Sequence, residues 1–127
     1  MSQAVSITLD FAVPRELEAN TNYHWGQRHA KVEAVQEATI ARIRQILPRP
    51  EQFIEPVVVI YKLYWCGSKP DPDNLIYRMK PVLDCFVNEG ILRDDGPDEI
   101  DAFLPRYERV PKRTQVKTVV QIRPSSA

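Results

Sequence analysis

The chain has 127 residues, 43% of them hydrophobic, and equal numbers of basic and acidic side chains, so its formal net charge is zero. This size suits one compact domain with a real core, and we expect a single domain over residues 1–127. Cys66 and Cys85 lie in no Cys/His motif, which argues against a disulfide framework and a structural zinc site. The apolar stretches are too short to span a bilayer and the N-terminus lacks a secretory pattern, so we expect a soluble, cytoplasmic protein.

The neutral total conceals an uneven distribution of charge along the chain. Residues 1–70 carry 8 basic and 7 acidic side chains, residues 71–101 carry 3 and 9, and residues 102–127 carry 6 and 1. Mutual neutralisation across the surface would explain this division without any function. The acidic segment, however, contains "DPDNLIYRMKPVLDCFVNEGILRDD", in which a carboxylate pair stands before and after one apolar, helix-like stretch.

The first half of the chain predicts a strand, a helix and a second strand. "VSITLDFAV" alternates apolar and polar residues and predicts a strand that ends near Pro14. From about His29 to Leu47, apolar residues recur at roughly helical spacing and predict an amphipathic helix. These residues are Val32, Val35, Ala38, Ile43 and Leu47. "EPVVVIYKLYW" is rich in β-branched residues and predicts a central strand.

The second half predicts a helix and two further strands. The helix would bury Met79, Val82, Leu83, Phe86 and Val87 and end at a Gly90 cap. Because proline disrupts a helix interior, Pro81 predicts a start near Tyr77 or Arg78 rather than at Asn74. "EIDAFLPRYERV" and "QVKTVVQIRP" predict strands joined by the turn-like "PKRT". The order β-α-β-α-β-β predicts an α+β domain with helices packed on a mixed sheet.

Two carboxylate pairs suggest a metal site. Pro70 and Pro72 hold the residues before them extended, so Asp71 and Asp73 are expected to project from one side of the chain. Gly90 allows the chain to turn back and to bring Asp94 or Asp95 to the same place. Mg²⁺ prefers oxygen ligands and is commonly held by one or two carboxylates plus substrate phosphate, and Mn²⁺ is an alternative.

Each of these motifs alone has an ordinary structural explanation. "DPDN" resembles a helix cap and "DDG" a turn, while Lys80 would form an i,i+4 pair with Asp84. An EF-hand is excluded, because Ile76 and Val82 stand where its loop needs glycine and glutamate. The occurrence of both motifs on either side of one helix favours the metal site. The functional role of Lys80 would be to stabilise a scissile phosphate, and spacing alone does not distinguish this role from the pair with Asp84.

"DPDNL", Lys80, Asp84 and "EGILRDD" together resemble the RusA family of Holliday-junction resolvases. Upstream, "LEANTNYHWGQRHAKVEA" resembles a loop and basic helix of its phage and prophage members, so the likeness spans roughly residues 5–122. It implies a Mg²⁺-dependent endodeoxyribonuclease that acts on branched DNA as a homodimer. By position, the resemblance makes Asp71, Asp73 and Asp95 the metal-binding carboxylates and Lys80 the catalytic lysine. Asn74 and Asp94 are accompanying positions, and Asp94 is a reserve ligand.

The gap between Asn74 and Lys80 is longer than in the best-known form of the family, so Tyr77 is the alternative occupant of the lysine's position.

The same chemistry requires cations that contact flanking DNA phosphates. The candidates are Arg28, His29 and Lys31 near the first helix, and Arg106, Arg109, Lys112 and Arg113 near the last turn, with Asn74 beside the carboxylates. The aromatic side chains of Tyr23, His24 and Trp25 would stack on unpaired bases or fix a loop to the core. Two other functions remain open: a flap or RNA nuclease with the same metal chemistry, and a catalytically inactive DNA-binding protein.

Overall fold

The computed structural model describes residues 3–18 and 25–126, which form a four-stranded sheet and two long helices. The elements follow the order β1 (Val5–Leu9), α1 (Trp25–Ile46), β2 (Val57–Trp65), α2 (Pro72–Asn88), β3 (Ile100–Arg109) and β4 (Lys117–Pro124). Short 3₁₀ helices cover Arg15–Leu17 and Arg113–Gln115. The predicted α+β class and the β-α-β-α-β-β order are confirmed.

The sheet is mixed, with strand order β1-β4-β2-β3. Strand β2 pairs in parallel with β3 and antiparallel with β4, which in turn pairs antiparallel with β1. The expectation of a central β2 is therefore confirmed. Although they are consecutive, β3 and β4 are not neighbours, because residues 110–116 cross the end of β2, where the Val110 amide donates to the Trp65 carbonyl at 3.0 Å.

One face of the sheet carries the core. Alternate residues of β2, such as Val59 and Leu63, are fully buried and belong to the same cluster as residues of all four strands and both helices. The intervening residues, such as Val58 and Ile60, are half-buried on the other face. Within the described ranges, no helix is long and apolar enough to cross a membrane.

Helix α1 buries a narrower stripe than predicted. Val35, Thr39 and Ile43 recur every four residues and are buried, whereas Ala38 is exposed, so its assignment to the buried face was wrong. The buried hydroxyl of Thr39 donates to the Val35 carbonyl at 2.7 Å, which satisfies it within the helix.

Helix α2 begins at Pro72, so the predicted start near Tyr77 or Arg78 is wrong. Pro72 occupies the first helical turn, where the absent N–H has no partner to lose. Pro81 lies inside the helix at a cost of about 3 kcal/mol. The earlier start adds Leu75 to the predicted buried set. Burial of one such side chain contributes about 1.5–3 kcal/mol, which is comparable with the cost of the proline.

The end of α2 is as predicted. Gly90 has a φ of +80°, a conformation that glycine adopts without the strain of a side chain. Its amide donates to the Val87 carbonyl and the Ile91 amide donates to the Phe86 carbonyl, both at 3.0 Å. This is the hydrogen-bond pattern of a Schellman motif, and both Phe86 and Ile91 are buried.

The candidate motifs lie at one end of the sheet, which we call the DPDN end. Strands β2 and β3 finish there, β1 also finishes there and β4 begins there, since Leu9 pairs with Thr118 and Tyr64 pairs with Lys117. The connecting segments 10–18, 66–71 and 110–116 therefore meet at this end.

Candidate functional site

The first carboxylate pair stands at the start of α2. Asp71 is the N-cap residue, with extended backbone (φ −63°, ψ 146°), and Asp73 is already within the first turn. The two side chains were predicted to project from one side because side chains alternate along an extended chain. Since Asp73 is already helical, that argument was wrong. Asp71 makes no side-chain capping bond. Neither carboxylate forms a hydrogen bond or ion pair with the described residues, so the capping explanation is not supported for this motif.

A groove of about 760 Å³ opens beside Asp71 at the DPDN end. Asn74 and Arg78 line it from α2, Trp65 and Lys69 line it from the β2–α2 connection, and residues 12–16 and 18 form the opposite wall. The groove therefore brings one of the unpaired carboxylates together with an aromatic ring and a free ammonium group.

Arg78 connects the two walls of this groove. It is 7% exposed, and its Nε donates to the Glu18 carboxylate at 3.0 Å while Nη2 donates to the same oxygen. Its Nη1 donates to the Val13 carbonyl at 3.2 Å. The sequence interpretation missed this buried pair. Position 78 lies between Leu75 and Val82 on the buried stripe of α2, so a charged residue there was a signal that a partner was needed.

The second pair forms a cluster with Lys80 on the side of α2. The Lys80 ammonium donates to Asp84 at 2.5 Å and also donates to Asp95. The Asp94 carboxylate accepts a hydrogen bond from the Asp95 amide at 2.8 Å, which is the turn role considered for "DDG". A surface depression of about 380 Å³ is lined by these four residues together with Gln36, Val87 and Asn88.

The contact between Lys80 and Asp95 changes the acidity of both groups. The hydrogen bond from Lys80 lowers the pKa of Asp95, against the opposing effect of burial. Burial acts to lower the pKa of Lys80, but the hydrogen bonds to Asp84 and Asp95 outweigh it and the pKa of Lys80 is raised. Both groups are therefore charged at neutral pH. The pKa of Tyr61 is also raised, by burial and then by the charges of Asp84 and Asp95.

The structure brings the predicted site residues together in two groups rather than one. Asp73 and Lys80 are seven residues apart and share one face of α2, separated by about 10 Å along its axis. Among residues 3–18 and 25–126, no three His, Cys, Asp or Glu side chains are grouped closely enough to hold a metal ion. Lys80 is the side chain that reaches Asp95, whereas Tyr77 lies with its ring 5.8 Å from the Arg28 guanidinium.

The predicted DNA contacts near α1 are largely engaged within the protein. Trp25 begins the helix, while its side chain and all of Tyr23 and His24 lie outside the described residues. Arg28 donates to the Leu17 carbonyl at 3.2 Å, and His29 contacts Glu33 at 2.8 Å.

The other predicted DNA-binding cations form no ion pair with the described residues. They are Lys31 on α1 and Arg106, Arg109, Lys112 and Arg113 near the last turn. Lys31 is exposed and unpaired among the described residues. Lys112 and Arg113 are exposed at the DPDN end, with Arg109 nearby, while Arg106 donates to the Pro105 carbonyl at 3.1 Å.

No protein-family model matches the chain, and no curated protein matches it. The resemblance to the RusA family therefore rests on the motif residues and on the order of strands and helices.

Proposed function

We propose that the chain is a Mg²⁺-dependent endodeoxyribonuclease that cuts phosphodiester bonds in branched DNA, with Mn²⁺ as an alternative metal. The observation that carries the proposal is the contact between Lys80 and Asp95, which joins α2 to the loop after it. The same helix begins with the unpaired carboxylates of Asp71 and Asp73. The unpaired carboxylates and the fixed ammonium group of Lys80 thus lie on one helix, about 10 Å apart along its axis, and both kinds of group are used in phosphoryl transfer.

The two unpaired carboxylates are the donors that best fit the metal. Mg²⁺ is often bound by one or two carboxylates with waters and substrate phosphate, so three protein ligands are not needed. Asp71 and Asp73 would hold it, whereas Asp95 is held by Lys80 and Asp94 by a backbone amide. When bound, the ion would supply charge neutralisation at the phosphate and a more acidic bound water.

Lys80 would act as a fixed positive charge. Because its pKa is raised, its ammonium remains protonated at neutral pH and cannot accept a proton from water. Asp84 and Asp95 orient the ammonium from two sides, and it remains half-exposed, so it can contact a substrate oxygen. Its proposed role is stabilisation of charge on the phosphate or the departing oxygen.

Cleavage of a set of labelled substrates tests this proposal. A four-way junction, a flap, a duplex and an RNA hairpin are incubated side by side with Mg²⁺, with Mn²⁺ and with EDTA. The expected result is metal-dependent cleavage with preference for the junction, lost in Asp73→Asn. Asp101→Asn is the matched control, because Asp101 is an exposed aspartate at the opposite end of the sheet.

The other outcomes distinguish the alternatives. Preferential cleavage of RNA or of the flap would reject junction resolution but keep the metal chemistry. Junction binding without cleavage in the presence of either metal would identify an inactive DNA-binding protein. A homodimer is part of the proposal, since two paired cuts across a two-fold junction need two sites, and light scattering with and without junction DNA measures it.

A further inference from the structure

We infer that the DPDN end binds an unpaired DNA strand, with Tyr64 and Trp65 as stacking surfaces for bases. The inference deepens the proposed function by naming the part of a branched substrate that this end recognises. It requires neither metal nor cleavage, so it can fail or succeed separately from the nuclease proposal.

Two aromatic rings at the end of β2 lie against cations, one from β2 itself and two from other segments. The Tyr64 ring lies 4.9 Å from the Lys62 ammonium and 4.5 Å from the Lys117 ammonium. The Trp65 ring lies 5.8 Å from the Arg113 guanidinium. Both aromatic residues are only partly buried. Aromatic rings interleaved with cations are the arrangement by which proteins bind single-stranded nucleic acid, because bases stack while phosphates are neutralised.

The two rings belong to separate hollows, and segment 110–116 is close to both, since it lines the Tyr64 hollow and its Arg113 lies over the Trp65 ring. Trp65 lines the groove of about 760 Å³ beside Asp71. Tyr64 lines a second hollow of about 600 Å³, together with Arg109 and Lys117. Because consecutive residues of a strand point to opposite faces, Tyr64 and Trp65 serve different hollows although they are adjacent. A strand that passes over segment 110–116 would meet both.

Most cations of this end are not neutralised by ion pairs within the described residues, although Arg78 pairs with Glu18 and Lys62 pairs with Glu108 at 3.3 Å. Away from this end, Arg44 and Arg93 each have a carboxylate partner. Six cations around the two hollows have no such partner among the described residues: Arg15, Lys69, Arg109, Lys112, Arg113 and Lys117. Five carboxylates also line the hollows, those of Asp10, Glu16, Glu18, Asp71 and Glu108. With Lys62 and Arg78 included, cations therefore outnumber carboxylates around the hollows by eight to five.

These features favour an unpaired strand over a duplex. In a duplex the bases are stacked on one another, so only phosphates and groove edges are accessible. The partly exposed rings of Tyr64 and Trp65 would find no free base face to stack on in a duplex. An unpaired strand offers base faces and phosphates together, and each base stacked on an aromatic ring contributes appreciably to affinity.

Fluorescence anisotropy in EDTA tests the inference with defined probes. Binding of a labelled oligothymidylate is compared with that of a blunt hairpin duplex with the same number of phosphates, over a series of salt concentrations. The wild-type protein is expected to bind the single strand more tightly. Lys112→Gln/Arg113→Gln should lower the slope of log affinity against log salt by about 1.4, or about 0.7 for each phosphate that the variant no longer neutralises.

The matched control is Arg49→Gln/Arg123→Gln, which removes the same charge from two exposed, unpaired arginines outside the DPDN end. Its salt slope should equal that of the wild-type protein. Trp65→Leu should weaken binding of the oligothymidylate roughly 5- to 150-fold without changing the salt slope, and Tyr64→Leu should do the same. Far-UV circular dichroism verifies that each variant is folded.

Three results would overturn the inference. These are equal or tighter binding of the duplex, equal reductions of affinity in the two charge variants, and unchanged affinity in both folded aromatic variants. Asp73→Asn is measured in parallel. Retained single-strand binding with no cleavage of the junction by the wild-type protein would reject the nuclease proposal while supporting this one.

Discussion

Replacement of Arg78 by methionine tests whether the buried ion pair holds the groove together. Arg78 is 7% exposed, and each of its three guanidinium nitrogens donates one hydrogen bond, two to Glu18 and one to the Val13 carbonyl. Removing one member of a buried ion pair costs about 3–5 kcal/mol, because the remaining charge stays desolvated and loses that attraction. Methionine retains part of the apolar burial of the arginine stem, so we expect a decrease of about 3 kcal/mol in the free energy of unfolding. Urea denaturation followed by circular dichroism measures it.

Arg44→Met is the matched control, since Arg44 pairs with Glu89 at 2.6 Å but its side chain is 70% exposed. An exposed pair contributes about 1 kcal/mol or less. Addition of Glu18→Gln to Arg78→Met should recover part of the lost stability, because it removes the buried charge. The ion pair would not hold the groove together if Arg78→Met lowered the free energy of unfolding no more than Arg44→Met does. The same would follow if the decrease in the double variant equalled the sum of the decreases in Arg78→Met and Glu18→Gln.

Three further predictions concern Lys80, Asp95 and Gly90. Lys80→Met should abolish metal-dependent cleavage, whereas Lys80→Arg should retain part of it, as measured by single-turnover kinetics at saturating enzyme. Lys80→Met should also raise the pKa of Asp95 in an NMR titration, because the hydrogen bond from Lys80 lowers it. Asp95 therefore stabilises the fold above its ordinary pKa, and this contribution is lost as the pH falls through the lowered value. Gly90→Ala should cost about 1–2 kcal/mol of stability, because a residue with a side chain is strained at a φ of +80°. The added Cβ would meet no atom within 4 Å, so a steric clash does not add to this cost.

Each has a specific control. Asp84→Asn leaves Lys80 its hydrogen bond to Asp95 and should reduce cleavage less than Lys80→Met does. An Asp95 titration that does not move in Lys80→Met would contradict the assigned hydrogen bond. Gly96→Ala, at a glycine without a positive φ, should cost less stability than Gly90→Ala, and equal costs would contradict the conformational argument.

The sequence predicted the element order well, because hydrophobic period and turn residues are local signals. It failed at the start of α2, where the local cost of Pro81 was given more weight than the distant packing of Leu75 and Met79. It also placed β3 and β4 as successive strands without showing that β2 lies between them. Strand neighbours depend on long-range pairing, which no local pattern of residues contains.

The sequence proposed residues for the candidate site but did not give their geometry. Spacing pointed to Asp71, Asp73 and either Asp94 or Asp95, and the resemblance selected Asp95 as a metal ligand and Lys80 as the catalytic lysine. The structure instead places Lys80 against Asp95. The sequence did not predict that Lys80 contacts Asp95 or that Asp71 lines the groove. These positions depend on the exact start of α2, since each residue turns a side chain by about 100° around the helix.

The zero net charge of the chain leads to a final prediction about DNA binding. A chain with equal numbers of acidic and basic groups has little long-range attraction for a polyanion, and charges more than about 10 Å apart are screened at 0.1 M salt. Attraction must then come from the local excess of cations at the DPDN end, and the unpaired carboxylates of Asp71 and Asp73 oppose it. Asp71→Asn/Asp73→Asn should therefore bind junction DNA more tightly than the wild-type protein in EDTA.

Mg²⁺ should reverse that difference in part, because an ion bound by the carboxylates changes the sign of the local charge. The expected result is tighter junction binding by the wild-type protein on addition of a metal that does not support cleavage, such as Ca²⁺, and a smaller change in the double variant. Weaker metal-free binding by the double variant would mean that these carboxylates do not face the DNA. A junction affinity of the wild-type protein that does not respond to either ion would remove the basis for assigning them to a metal.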